Sequence, residues 1–402
     1  MIKLCYHRSN IEFLSKYSSL KRPNQYIVTI HMNKPTRLTG VDLFRGLAAF
    51  GVTVLHSRGG TTGAPDLVSS WLIISASFAV PFFLATSFYL SFNRFYSRGK
   101  LLNLGDRFQR LIIPYGFWSL IYVLSRIVKS LVLGNPQEAI GVIADPIAII
   151  FMGASAVHLY FVPLLFFGSF SIKLIEFLEN QKNQPSQKNR FLVLGVIISL
   201  ILDMTLRFTN NSFRLGANVA FSGLTEQISW LSNDQVILRI FFVIIAWIIR
   251  CLPYVFIAAI VAKYDYYQNI ISRKIPLIAG CSFLIFCVST FGFLPINSMI
   301  PGGTSITEIL QGYSSLILAI ALSYLMKDNP IIQNLGACSF GIYLAHHLSI
   351  EIFEFIVKKI SPGLLEPISA TTILITAIFG FVTSWAIVNL CSRNQITSRL
   401  VL

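Results

Sequence analysis

Apolar stretches of about 20 residues recur along nearly the whole chain, and this recurrence constrains the fold more than any single motif. A helix needs about 20 mostly apolar residues to cross a bilayer core. Ten such stretches are legible, at 40–58, 68–92, 109–131, 157–178, 191–208, 238–262, 275–294, 305–326, 335–357 and 370–391. The expected fold is an all-α membrane protein of about ten transmembrane helices. Only 12% of the 402 residues are charged, against about 25% in soluble domains. The deficit is spread over the full length, which excludes a soluble enzyme with one anchor.

Charge then sets the orientation. The net charge of +15 would suggest nucleic acid on a soluble protein, but here the basic residues flank apolar spans and form no nucleic-acid motif. With the N-terminus inside, 22 of the 32 Lys and Arg fall on the inner side and 8 on the outer, with Arg45 and Arg250 left within spans. This asymmetry predicts cytoplasmic N- and C-termini. The expectation is a multi-pass protein of a cell membrane, a bacterial inner or plasma membrane. Residues 1–36 form a basic tail without a signal-peptide pattern, and Met32 is an alternative start. Residues 37–392 form one ten-helix membrane domain, and residues 393–402 a short cytoplasmic tail. The six cysteines show no CxxC and no paired loop spacing, so they predict neither disulfide framework nor metal site.

Two expected outer segments stand apart. Residues 132–156, broken by Asp145-Pro146, read as interfacial or re-entrant backbone. Residues 209–237, with Phe213, Phe221 and Trp230, read either as a lid over an acceptor site or as a loop resting on its aromatics.

Four polar constellations interrupt the apolar spans. Arg45 and His56 are eleven residues apart in the first span, so they share one helix face at about 16 Å separation. Ionisable groups inside a membrane segment mark functional paths by default, and the shared stripe predicts one cavity reached by both side chains. Asp42 stands three residues before Arg45 and can pair with it; a pair that serves only topology is the plainer alternative. In the ninth span Ser339, Tyr343, His346 and His347 are polar among apolar neighbours, and Glu351 follows His347 by four residues. A His–carboxylate pair raises imidazole basicity, as general-base work requires. With no HExxH and no thiolate beside these histidines, no metal is expected. His158 opens the fourth span. Arg107 and Arg110, three apart at the inner start of the third span, suit a phosphate group, although inner-side charge alone also explains them.

These segments, in this order, resemble the acyltransferase 3 family of integral-membrane O-acyltransferases. Val41-Asp42-Leu43-Phe44-Arg45 with His56 is similar to the family's opening R-x10-H helix, and Arg107 to Pro114 to its basic stretch before the third span. His158-Leu159-Tyr160-Phe161 resembles its H-L-W-F segment, with Tyr160 in place of Trp. Leu335-Gly336 through His346 resembles its late motif. Phe82 to Phe88 departs, with Ser87 where the family has Gly. The resemblance runs from about residue 37 to 391. It implies transfer of an acyl group, most often acetyl, from acyl-CoA (acetyl-CoA) to a hydroxyl of a cell-surface polysaccharide, exopolysaccharide or lipid-linked sugar precursor. It implies His56 as the catalytic histidine and Arg45 as its partner in placing the donor. A transporter or flippase using the same Arg and His, and acylation of a small-molecule hydroxyl, are the competing readings.

Overall fold

The computed structural model describes residues 37–58, 65–137, 141, 143, 145–181, 185–209, 236–268, 270–292, 304–361, 363–365 and 368–401. The expected N-terminal tail with its alternative start, and the aromatic segment with Phe213, Phe221 and Trp230, lie outside these residues. The described residues contain helices and turns and no strand.

The helices are α1 (Thr39–His56), α2 (Leu67–Ala76), α3 (Ala79–Arg98), α4 (Leu104–Val132), α5 (Pro146–Met152), α6 (Phe161–Gln181) and α7 (Pro185–Thr209). They continue with α8 (Val236–Gln268), α9 (Ile270–Arg273), α10 (Ile275–Thr290), α11 (Thr304–Ser323), α12 (Pro330–Ile360), α13 (Ala370–Ser392) and α14 (Gln395–Val401). Among the described residues eight helical segments, with α2 and α3 taken as one, are long and apolar enough to cross a bilayer. The two other expected spans are occupied by α1, which carries Asp42, Arg45 and His56, and by the 16-residue α10.

Local chemistry fixes the helix ends. Asn103 and Asn329 cap α4 and α12 by accepting the first free backbone N–H groups, and Pro330 sits at the first turn of α12, where no N–H is missed. That cap starts α12 five residues earlier than the hydropathy alone predicts. Ser369 and Thr372 form a capping box on α13. The second span is broken at Ser77–Phe78, between α2 and α3.

Outward surfaces are apolar, the reverse of a soluble bundle: Leu120, Leu124 and Val128 of α4, Ile197 and Ile201 of α7, and Ile375, Ile378 and Val382 of α13 are exposed. α1 is the central helix and packs against α2, α3, α11, α12 and α13. Its buried face is built from small residues, with Ala48 and Ala49 fully covered, which lets neighbouring backbones approach closely. α8 packs against α3, α6 and α7 on the other side of α3. The residues after the last span, expected as a tail, form α14, which folds back on α4 and α13 and buries Val401.

Candidate active site

One end of α1 carries charge and the other carries an imidazole. At the charged end Asp42, nearly buried, sits between two guanidiniums. Arg37 Nε donates to Asp42 Oδ2 at 2.6 Å, and Arg45 Nη1 lies 3.7 Å from Oδ1. Arg37 also donates to the Gln333 carbonyl at 3.0 Å, tying α1 to the start of α12.

Arg45 opens into a cavity of about 400 Å³ between α1, α3, α4, α6 and α12. Its walls carry five cations, Arg45, Arg94, Lys100, Arg107 and Arg110, against one carboxylate, Asp106. Arg107 is held in place by two hydroxyls: Nε donates to Ser169 Oγ at 3.0 Å and Nη2 to Ser87 Oγ at 2.6 Å. Ser339 also lines this cavity, with its hydroxyl turned to the Gly336 carbonyl at 2.8 Å. The deeper lining is aromatic, from Phe83, Phe161 and Tyr343.

Four imidazoles meet beyond these aromatics. The ring of His56 lies 5.8 Å from His158, 5.2 Å from His346 and 5.6 Å from His347, and His158 lies 4.7 Å from His346. They come from α1, from the turns before α6 and from α12. The turn that delivers His158 needs Gly153, whose φ of 73° favours glycine and whose Cα faces the Tyr160 backbone too closely for a side chain. Residues 145–156, within the segment 132–156 expected as interfacial or re-entrant, begin with the Asp145-capped α5. They are pinned from α4 by the Tyr115 hydroxyl, which donates toward the Ile149 and Ile150 carbonyls and accepts from Gly153 N–H.

Hydrogen bonds set the tautomers. His346 Nδ1 faces the Tyr343 carbonyl at 2.7 Å, and His158 Nε2 faces the Leu344 carbonyl at 3.3 Å. Carbonyls only accept, so these nitrogens carry the protons and the opposite nitrogens are bare. Bare His158 Nδ1 and His346 Nε2 are buried without a hydrogen-bond partner among the described residues. Tyr343 donates to the His158 carbonyl. Tyr122 stands between one turn of α12, donating to the Leu344 carbonyl at 2.8 Å and accepting from Leu348 N–H at 3.2 Å. Among the described residues no three His, Cys, Asp or Glu side chains are placed to share a metal ion.

A second cavity, about 310 Å³, lies on the far side of the imidazoles and is lined by Tyr122, Arg126, residues 154–157, His347 and Glu351. Arg110 and Arg126 of α4 line different cavities, and sixteen residues of helix separate them by about 24 Å. His347 Nδ1 is 3.6 Å from Glu351 Oε1, too far for a hydrogen bond and close enough for a charge interaction.

Of the two cavities described in this site, Arg45 lines the basic one and His56 lines neither, its ring instead joining the other imidazoles. Helical phase puts the two groups on one stripe, and the Tyr343 side chain from α12 both lines the basic cavity and packs beside His346. Its ring is 6.2 Å from Phe83, 5.4 Å from Phe161 and 5.9 Å from His346.

Several polar contributors are not in the sequence-derived set. Ser87 and Ser169 orient Arg107, and Tyr122 braces α12. A buried ion network joins α7, α8 and α11: Arg207 reaches Asp203 at 3.3 Å and Glu308 at 2.9 Å, and Arg250 contacts both carboxylates, with Ser305 donating to Asp203. Arg207, counted among the outer charges, and Arg250, left alone inside its span, are thereby paired. The signal was Arg250 itself, since a lone Arg in an apolar span requires buried counter-charge.

A family model described as an acyltransferase domain matches residues 38–389, nearly the whole helical unit. The chain belongs to the acyltransferase 3 family. As an acyltransferase 3 protein it is a multi-pass membrane acyltransferase. No curated protein and no solved structure matches it. Within this acyltransferase 3 chain, Ser87, which stands where the family resemblance has Gly, supplies one of the two hydroxyls that fix Arg107.

Proposed function

We propose that the protein moves an acetyl group from acetyl-CoA, held in the basic cavity, to a hydroxyl of a cell-surface or lipid-linked glycan. The observation that carries this reading is a five-cation cavity whose lining residue Tyr343 packs against two of four converging imidazoles, His158 and His346. Coenzyme A is rich in phosphate, and guanidiniums bind phosphate bidentately. Arg107, fixed by two hydroxyls, loses little side-chain freedom on binding. The cavity volume falls within the range of small-molecule sites.

The chemistry follows from the imidazoles. Neutral His56 accepts the proton of the acceptor hydroxyl as its oxygen attacks the thioester carbonyl carbon. The tetrahedral intermediate collapses, the C–S bond breaks, and the imidazolium returns the proton to the departing sulfur, leaving ester and thiol. A basic end facing the cytoplasm of a bacterial plasma membrane fits both the source of acyl-CoA and the distribution of loop charge.

Purified protein incubated with acetyl-CoA carrying a labelled acetyl group tests this. Release of coenzyme A with transfer of the label, lost in a folded His56→Ala variant, is the expected result. Equal thioester consumption by His56→Ala and the unaltered protein overturns the assignment.

A further inference from the structure

We propose that the second cavity binds the acceptor as an uncharged polyol, such as one sugar unit, and that Glu351 is a positioning residue acting on it through His347. The proposal rests on the acyl-transfer reading above and extends it to the second substrate.

Three observations converge. First, His347 is the one imidazole of the four that lines this cavity, and its ring lies 5.6 Å from that of His56. A hydroxyl bound in the cavity therefore meets His347 on its way to His56. Second, Glu351 stands one turn along α12 with Oε1 3.6 Å from His347 Nδ1. A carboxylate on that side favours a proton on Nδ1 and leaves Nε2 as the nitrogen free to accept a hydroxyl hydrogen bond. Third, the lining is polar and balanced in charge: it carries one cation, Arg126, and one carboxylate, Glu351, and Ser155 adds a hydroxyl, while the Tyr122 hydroxyl is held by the α12 backbone. Such a wall offers donors and acceptors in mixed order, as a polyol requires, and lacks the cation excess of the basic cavity. About 310 Å³ lies at the lower end of small-molecule sites, the scale of one ring rather than an extended chain. The cavity and the basic one lie on opposite sides of the imidazoles, so the two substrates do not compete for space.

The test uses the full chain in native membrane vesicles, with acetyl-CoA as donor and a panel of methyl glycosides as acceptors; water serves as the reference acceptor. For Glu351→Gln, the expected result is a rise of about tenfold in KM for the glycoside with KM for acetyl-CoA unchanged, and Glu351→Asp recovers most of the loss. His347→Gln raises the glycoside KM at least as much. Glu354→Gln, one turn nearer the helix end and outside the cavity lining, changes neither constant. A merely structural Glu351 would move both KM values together, and that result overturns the proposal, as does an unchanged glycoside KM. Unaltered protein that hydrolyses acetyl-CoA but acylates no methyl glycoside overturns the polyol assignment. Protein that consumes no thioester at all overturns the underlying acyl-transfer reading instead.

Discussion

Gly336 of α12 faces Asp42 of α1 with no room for a side chain: a Cβ at position 336 would fall on the Asp42 carboxylate. The same carboxylate holds Arg37 and neighbours Arg45, so the close approach of two helices sets the position of a cation at the mouth of the basic cavity. Gly336→Ala is expected to destabilise the protein by about 1–3 kcal/mol through overpacking. It should also raise KM for acetyl-CoA several-fold by displacing Arg45. Asp42→Asn should reproduce the second effect without overpacking the helix contact. Thermal unfolding in detergent and donor-dependent kinetics separate the two.

Ser87 donates nothing to the substrate reading directly, but its oxygen accepts from Arg107. Loss of a hydrogen bond to a charged group costs about 1.5–3 kcal/mol. Ser87→Ala should therefore weaken donor binding about tenfold, seen as a higher KM for acetyl-CoA with kcat retained. A change in kcat alone would show that Arg107 serves the reaction step rather than the donor.

The ion network of Asp203, Arg207, Arg250 and Glu308 makes a different prediction, about stability alone. Removing one member leaves an uncompensated buried charge, at about 3–5 kcal/mol. Glu308→Gln should lower the midpoint of thermal unfolding markedly. The joint replacement Arg250→Met with Glu308→Met should recover much of that loss, because a neutral pair leaves less charge stranded.

Tyr122 joins α4 to α12 through two backbone groups, the Leu344 carbonyl and the Leu348 N–H. Tyr122→Phe removes both bonds at the turn that carries His346 and His347. The expected outcome is a loss of about 1–3 kcal/mol in stability, with a fall in kcat because the imidazoles lose their brace. Hydrogen exchange at Leu348 should accelerate, and unchanged exchange there would remove Tyr122 from this role.

Particular elements show how far the sequence reaches. The apolar spans were legible because length and hydropathy are local properties, and the helices fall on all ten expected stretches. His158, His346 and His347 could be singled out as polar residues in apolar text, but their meeting with His56 could not. All three lie more than one hundred residues from His56, and periodicity says nothing about which helix faces which. Arg250 announced a need for counter-charge without naming Glu308, which lies 58 residues away on α11.

The sequence alone determined a membrane protein of about ten helices with a basic end, because both features are sums over local composition. It also determined the stripe on α1 that carries Arg45 and His56, because helical phase is fixed by residue spacing. The tertiary structure decided that Arg45 lines a basic cavity enclosed by α1, α3, α4, α6 and α12 while His56 meets three imidazoles from other segments, because helix packing and not helical phase chooses each side chain's neighbours. It also decided that four imidazoles meet, two of them, His158 and His346, buried, since only the packing of α1, α12 and the turns before α6 brings rings from distant segments within about 6 Å of one another.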